Sequence, residues 1–174
     1  MKSVYVNDRY LDLILQLLTY ENRLVCAVAL QTGLRVGDIV ALRSVTVKRS
    51  FTITEQKTGK KRRVTISQSL LRELNSVKGK KYVFEHRTDP ERHRTRQAVY
   101  ADIRRACKAL RIKQNISPHS LRKHYAVELM RKYGDIEVVK KALNHDNDLT
   151  TLLYAYADII AQKPRYNGKD RAKL

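Results

Sequence analysis

Apolar residues near the start of the chain recur at helical spacing. Tyr10, Leu11, Leu13, Ile14, Leu17 and Leu18 form one stripe, and Asn7 ahead of them is a good N-cap. A second helix is expected from about Glu21 to Thr32, stopped by Gly33, and a short one from Val36 to Leu42. The period then changes. Val45, Val47, Phe51, Ile53, Val64 and Ile66 fall at roughly alternating positions, interrupted by the turn signal Lys57-Thr58-Gly59-Lys60. This pattern predicts a small antiparallel sheet with a hairpin from about Phe51 to Ile66. Ser67 can cap a helix carrying Leu70, Leu71 and Leu74, and Tyr82-Val83-Phe84 reads as one more short strand. Residues Thr88 to Thr95 read as a loop.

Val99, Ile103, Ala106 and Leu110 mark a fifth helix. Ser117 is a good N-cap with Pro118 in the first helical position, and that helix runs through Leu121, Tyr125, Leu129 and Met130 to Tyr133, where Gly134 ends it. Val138, Val139, Ala142 and Leu143 mark another helix ending near Asn144, and a last helix starts around Leu149. The tail from Lys163 to Leu174 is polar and basic. The expected class is α+β, mainly α-helical, with a small antiparallel sheet packed on helices.

At 174 residues the chain is long enough for one domain with a real core. Its formal net charge is +19, and the stretch from Lys57 to Lys113 holds 18 Lys/Arg against 5 Asp/Glu. With 43% apolar residues this is a folded, strongly basic domain, which points to a polyanionic partner. Cys26 and Cys107 lie in apolar-periodic stretches and read as buried thiols, so a reducing, cytoplasmic setting is expected. Nothing resembles a zinc spacing or a membrane span, and Asp8, Arg9 and Asp12 interrupt any signal-peptide pattern.

The candidate chemistry is dispersed along the chain. In Ser117-Pro118-His119-Ser120-Leu121-Arg122 a capped helix start carries His119 and Arg122 on one face, a pair suited to phosphate oxygens beside free first-turn N–H groups. Arg35, in Thr32-Gly33-Leu34-Arg35-Val36-Gly37-Asp38, sits at an interhelix corner, either exposed, paired with Asp38, or held by a carboxylate to face a cleft. The hairpin puts Lys57, Lys60, Lys61, Arg62 and Arg63 within seven residues, a turn shaped to lie along a nucleic acid. His145 ends a helix, and Tyr154 follows nine residues later; taken alone, that tyrosine reads as a core residue of an amphipathic helix. No Walker loop, GxGxxG, HExxH or GxSxG is present, and Asp146 and Asp148 are only a weak metal signal.

In combination these boxes resemble the catalytic domain of the tyrosine recombinase (phage integrase) family. Thr-Gly-Leu-Arg35-Val-Gly-Asp resembles the first arginine box, Lys57 the hairpin lysine, and His119-Ser-Leu-Arg122 the His-x-x-Arg box. Leu143-Asn144-His145 resembles the Leu-Gly-His box, with Asn144 in place of the usual glycine, and Tyr154 stands at the spacing of the nucleophile. Lys123-His124 follow Arg122 where the family often has His-Thr. The match runs from about Asn7 to Asp158. A catalytic domain over 1–158 and a basic tail over 159–174 are therefore expected. With almost nothing ahead of that domain, the chain is expected to be either an excised fragment or a minimal recombinase.

The resemblance implies that Tyr154 attacks a DNA phosphodiester to form a 3′-phosphotyrosyl link. Arg35 and Arg122 offset charge at the phosphorus, Lys57 protonates the leaving 5′-oxygen, His119 assists proton transfer at the tyrosine, and His145 hydrogen-bonds a non-bridging oxygen. It implies double-stranded DNA and other protomers assembled on it as partners, no cofactor and no metal. Lys60, Lys61, Arg62, Arg63, Arg96 and Lys123 are the expected DNA contacts. Topoisomerase IB-like relaxation and a non-catalytic DNA-binding regulator remain open alternatives at this point. Tyr156 is the rival nucleophile, but residues two apart on a helix point about 200° apart, so only one faces a given phosphate. Tyr154→Phe is expected to abolish covalent protein–DNA adducts on denaturing gels, and Tyr156→Phe to leave them intact.

Overall fold

The computed structural model describes residues 3–143. Their element order is α1 (Asp8–Leu17), α2 (Tyr20–Thr32), α3 (Val36–Val40), β1 (Ser50–Thr54), β2 (Lys61–Thr65), α4 (Gln68–Val77), α5 (Arg96–Ala109), α6 (Pro118–Tyr133) and α7 (Ile136–Leu143). The mainly helical class with one small antiparallel sheet is as expected. The expected helix from Leu149, the tail, and residues His145 and Tyr154 lie outside the described residues.

Helix α2 is the hub. Leu24, Val25, Cys26, Val28, Ala29 and Thr32 are buried around most of its circumference, and it packs against α1, α3, α4, α5 and α6. A helix apolar around most of its surface has to be enclosed there, and the other helices supply the enclosure, leaving the face of Arg23 and Gln31 to solvent. Burial also pushes the Cys26 thiol up to about 12, helped by the negative charge of Asp102, so this sulfur stays a protonated packing group. Cys107 is buried as well.

Two caps are those the sequence suggested: Asn7 accepts from the Tyr10 N–H and Ser67 from Leu70. Thr95, at the end of the expected loop, caps α5 by accepting from Ala98. Gly33 and Gly134 end α2 and α6 in the left-handed region. Gly33 has a second constraint: a Cβ there would lie 2.2 Å from the ring of Tyr125, so α2 and α6 meet at a point only glycine allows.

Three expectations change. Leu11, Ile14 and Leu18 of the first stripe are buried, but Tyr10, Leu13 and Leu17 are over a third exposed, because α1 lies on the outside and has one face to bury. The hairpin pairs only Ser50–Thr54 with Lys61–Thr65; Val45 is 85% exposed and takes no part. The strand expected at Tyr82–Phe84 reduces to isolated bridges, Arg43 with Tyr82 and Glu85 with His93, while Val83 and Phe84 pack inward.

Asp102 on α5 ties that helix to the α1–α2 corner. One oxygen accepts from the Thr19 N–H and hydroxyl, both at 2.9 Å, and from Asn22 at 2.8 Å; the other accepts from Arg105 at 2.6 and 2.9 Å. Burial by itself would raise this carboxyl, but these donors outweigh it and hold Asp102 below the ordinary carboxylate value. Its stabilising effect is therefore complete above the unfolded value of about 4 and is lost as pH falls through the lower native value. Asp102→Ala is expected to cost roughly 2 kcal/mol in urea unfolding at pH 7, and the gap to the parent should narrow in strong acid.

Candidate active site

Four segments meet at one cleft of about 370 Å³. Its lining includes Arg35, Asp38, Gln56, Lys57, Arg96, His119 and Arg122. Each residue arrives for a local reason. The left-handed turn at Gly33 ends α2 and leaves Arg35 as the N-cap residue of α3. Lys57 rides the turn between β1 and β2, which closes through the Glu55 N–H to the Lys60 carbonyl at 3.0 Å and the Gly59 N–H to the Glu55 carbonyl at 2.8 Å. Arg96 opens α5, and His119 and Arg122 lie on the first turns of α6.

The sequence placed free N–H groups at the start of α6 as an anion cradle. The structure assigns them elsewhere. Pro118 has no N–H, His119 N–H donates to Ser117 Oγ at 3.2 Å, and Ser120 N–H donates to the Ser117 carbonyl at 2.8 Å. The cap is closed by Ser117 N–H donating to Ser120 Oγ. Affinity for an anion in this cleft therefore rests on side chains.

Arg122 is a buried cation, only 3% exposed. Its guanidinium donates to the carbonyl of Gly33, which caps α2, and to the carbonyl of Leu143, the last residue of α7, at 2.9 Å. Carbonyls at helix C-termini carry partial negative charge, so two helix ends hold one cation. Arg35 is held by a carboxylate, and that carboxylate is Glu55: Arg35 Nη1 donates to Glu55 Oε2 at 2.8 Å. Asp38 instead accepts the Gln56 N–H at 2.9 Å. Burial pushes the Asp38 carboxyl up, against the pull of that hydrogen bond and of Arg35 and Arg122.

Glu55 belongs to none of the sequence boxes, although strand alternation points to it. Phe51 and Ile53 face inward from β1, and Glu55 is turned inward to full burial by the same alternation carried one residue past the strand's end. It also accepts from Thr58 at 3.1 Å and faces Arg62 at 3.7 Å. Arg62 is among the DNA contacts expected from the sequence. Its side chain instead turns inward, donating to the Thr32 carbonyl and pairing with Glu55, because alternation along β2 sends Lys61 and Arg63 outward and Arg62 inward. Lys123 is likewise corrected: it is buried, and its ammonium donates to the Ser3 carbonyl at 2.6 Å. Lys60, Lys61, Arg63 and Arg96 are exposed.

Arg35, Lys57, His119 and Arg122, up to 87 residues apart in sequence, thus open onto a common space with Arg96. Such a cleft can bind a doubly coordinated oxyanion and offset charge that grows on it.

The phage integrase family model matches residues 7–159, and the chain belongs to that family. Among curated relatives, the "Probable integrase/recombinase YoeC" of Bacillus subtilis is 30% identical over 135 residues, covering 74% of this chain and 74% of that protein. Tyrosine recombinase XerA of Pyrococcus horikoshii is 30% identical over 182 residues, covering 99% of this chain and 59% of the relative. The chain spans about half the length of several curated relatives, for instance 45% of a tyrosine recombinase from Thermosipho africanus. Among solved structures, XerA recombinase superposes with a TM-score of 0.72 at 22% identity, over 94% of this chain and 65% of that one. The catalytic domain of bacteriophage HP1 integrase gives 0.65 at 22% identity, over 95% of this chain and 98% of that one. These likenesses establish the tyrosine recombinase catalytic-domain fold. No helix among the described residues is long and apolar enough to cross a membrane.

Glu55→Ala is expected to cost about 3–5 kcal/mol, because it strips the carboxylate from two guanidiniums. Glu55→Gln should cost less. Adding Arg62→Met to Glu55→Ala should restore part of the loss in a double-mutant cycle followed by urea unfolding.

Proposed function

We propose that this chain is the catalytic part of a site-specific recombinase that cuts and rejoins double-stranded DNA through a 3′-phosphotyrosyl intermediate. The observation that carries the reading is the opening of Arg35, Lys57, His119 and Arg122 onto one cleft, where Asp38 is the carboxylate that the described residues contribute to the lining. Family membership and relatives named as recombinases and integrases support it.

The scissile phosphate lies in the cleft with its non-bridging oxygens toward Arg35 and Arg122. Both guanidiniums are pre-positioned, one by Glu55 and one by two helix ends, so they need not reorganise as charge builds on phosphorus. Tyr154 supplies the nucleophile. Its phenolic oxygen bonds to phosphorus, its proton leaves through His119, and the bond to the 5′-oxygen breaks as Lys57 gives that oxygen a proton. The phosphoryl group passes intact from one oxygen to another, so a 5′-hydroxyl from a second strand reverses the step without nucleotide hydrolysis. His145 steadies a non-bridging oxygen. Lys57 is exposed on its turn, as a residue reaching a leaving group on a bound duplex must be. Lys60, Lys61, Arg63 and Arg96 contact flanking phosphates, and further protomers assemble on the DNA. The reaction belongs in the cytoplasm.

The test uses a nicked substrate that loses its 5′-hydroxyl strand after cleavage and so traps the covalent adduct. The parent chain should accumulate it. Lys57→Ala should lose about 10²–10⁴-fold in cleavage rate, and replacing the leaving 5′-oxygen by sulfur, which departs without a proton, should restore most of it. Failure of sulfur to rescue this variant would remove Lys57 from the acid role; absence of any adduct with the parent would remove the recombinase reading.

A further inference from the structure

We infer that His124, Glu128 and Asp8 form a binding site for a divalent transition-metal ion, zinc being the natural probe. His124 and Glu128 are four residues apart on α6 and share one face. Asp8 comes from the first position of α1, 116 residues away in sequence. One ligand atom from each of the three lies within 4.8 Å of the others.

The imidazole is the informative member. It is only 8% exposed, and Tyr5 stacks parallel to it at 5.7 Å and 5°. Its Nδ1 lies 3.1 Å from the Val6 carbonyl, which can only accept, so Nδ1 carries the proton and donates. In a neutral ring the lone pair is then on Nε2, and Nε2 faces Asp8 Oδ1 at 3.5 Å. Two acceptors so placed need a positive centre between them, supplied either by a proton on Nε2 or by a bound cation that replaces it. A ligating histidine ordinarily donates its other N–H to a carbonyl or carboxylate, and this ring already does so.

The spacing suits a metal. Ligand atoms around a tetrahedral zinc with bonds of about 2.0–2.1 Å stand roughly 3.3–3.4 Å apart. His124 Nε2 and Asp8 Oδ1 are 3.5 Å apart, and the ligand atoms of all three residues, Glu128 included, lie within 4.8 Å of one another. One nitrogen and two carboxylate oxygens leave a fourth position for water, and such a mixed set favours zinc or a similar borderline ion over calcium or magnesium.

Arg131 is the competitor. Its guanidinium lies 2.5 Å from Glu128 Oε1 and 3.9 Å from Asp8 Oδ2, and its side chain is 40% exposed. Exposed ion pairs of this kind are weak, and the side chain can swing to solvent when a dication arrives. Bound metal would then clip the N-terminal segment carrying Tyr5, Val6 and Asp8 to the helix whose first turns present His119 and Arg122. The site is independent of the recombinase reading and stands if that reading fails.

The experiment titrates zinc chloride into the whole chain by calorimetry, with thermal unfolding as a second readout. The chain has five histidines, so variants must separate this site from chance binding elsewhere. The parent should bind one zinc saturably at micromolar concentration and melt at a higher temperature with it. Asp8→Asn and Glu128→Gln, both at exposed positions, should each weaken binding about tenfold or more. Arg131→Gln should tighten it about threefold by removing the competing cation. No saturation below about 1 mM zinc would overturn the site, and so would undiminished affinity in the Asp8→Asn/Glu128→Gln double variant with its circular dichroism intact.

Discussion

The fold and its cleft depend on one buried cation. Arg122 reaches through the joint between α6 and α2 and donates to the carbonyls of Gly33 and Leu143. An unpaired guanidinium could not be enclosed there, since desolvating a charge costs far more than packing returns. Two helix C-termini supply the compensation, with dipoles that favour positive charge. The same contacts set the relative positions of α2, α6 and α7. A residue that the sequence pairs with His119 for phosphate oxygens is therefore also the joint on which three helices meet.

The residues after Arg122 follow the same logic. Lys123 and His124 are buried with it, and each ends on a backbone carbonyl, Ser3 for the ammonium and Val6 for the imidazole. A run of three polar residues on a central helix is tolerated because loops and helix ends bring acceptors to each of them. The extended N-terminal segment before α1 is thereby anchored to the helix that carries half of the described site.

The hairpin solves a different electrostatic problem. Five cations in seven residues repel one another, and the structure divides them by strand alternation. Arg62 turns inward to Glu55, while Lys61 and Arg63 face solvent. Glu55 then serves two arginines at once, Arg35 in the cleft and Arg62 beneath it, and Thr58 in the turn beside Lys57. One carboxylate thus couples the position of Arg35 to the turn that presents Lys57. Removing water from that carboxylate is offset by two cations held close, which is why it is tolerated at full burial.

The helices, most of their caps and the hairpin are legible in the order of residues, because these rest on local rules: periodicity, a side-chain acceptor at the N-cap, a residue that tolerates positive φ. Arg35, Lys57, His119 and Arg122 also stand out there, through the order and content of short boxes. Which carboxylate holds Arg35, the inward turn of Arg62 and Lys123, and the use of the first-turn donors of α6 for its own cap emerge only once the chain is packed. Those outcomes depend on which carbonyls and carboxylates arrive from distant segments, as Ser3 does for Lys123 and Thr32 for Arg62. Charge satisfaction in a buried place is a property of the whole packing arrangement, and no window of neighbouring residues contains it.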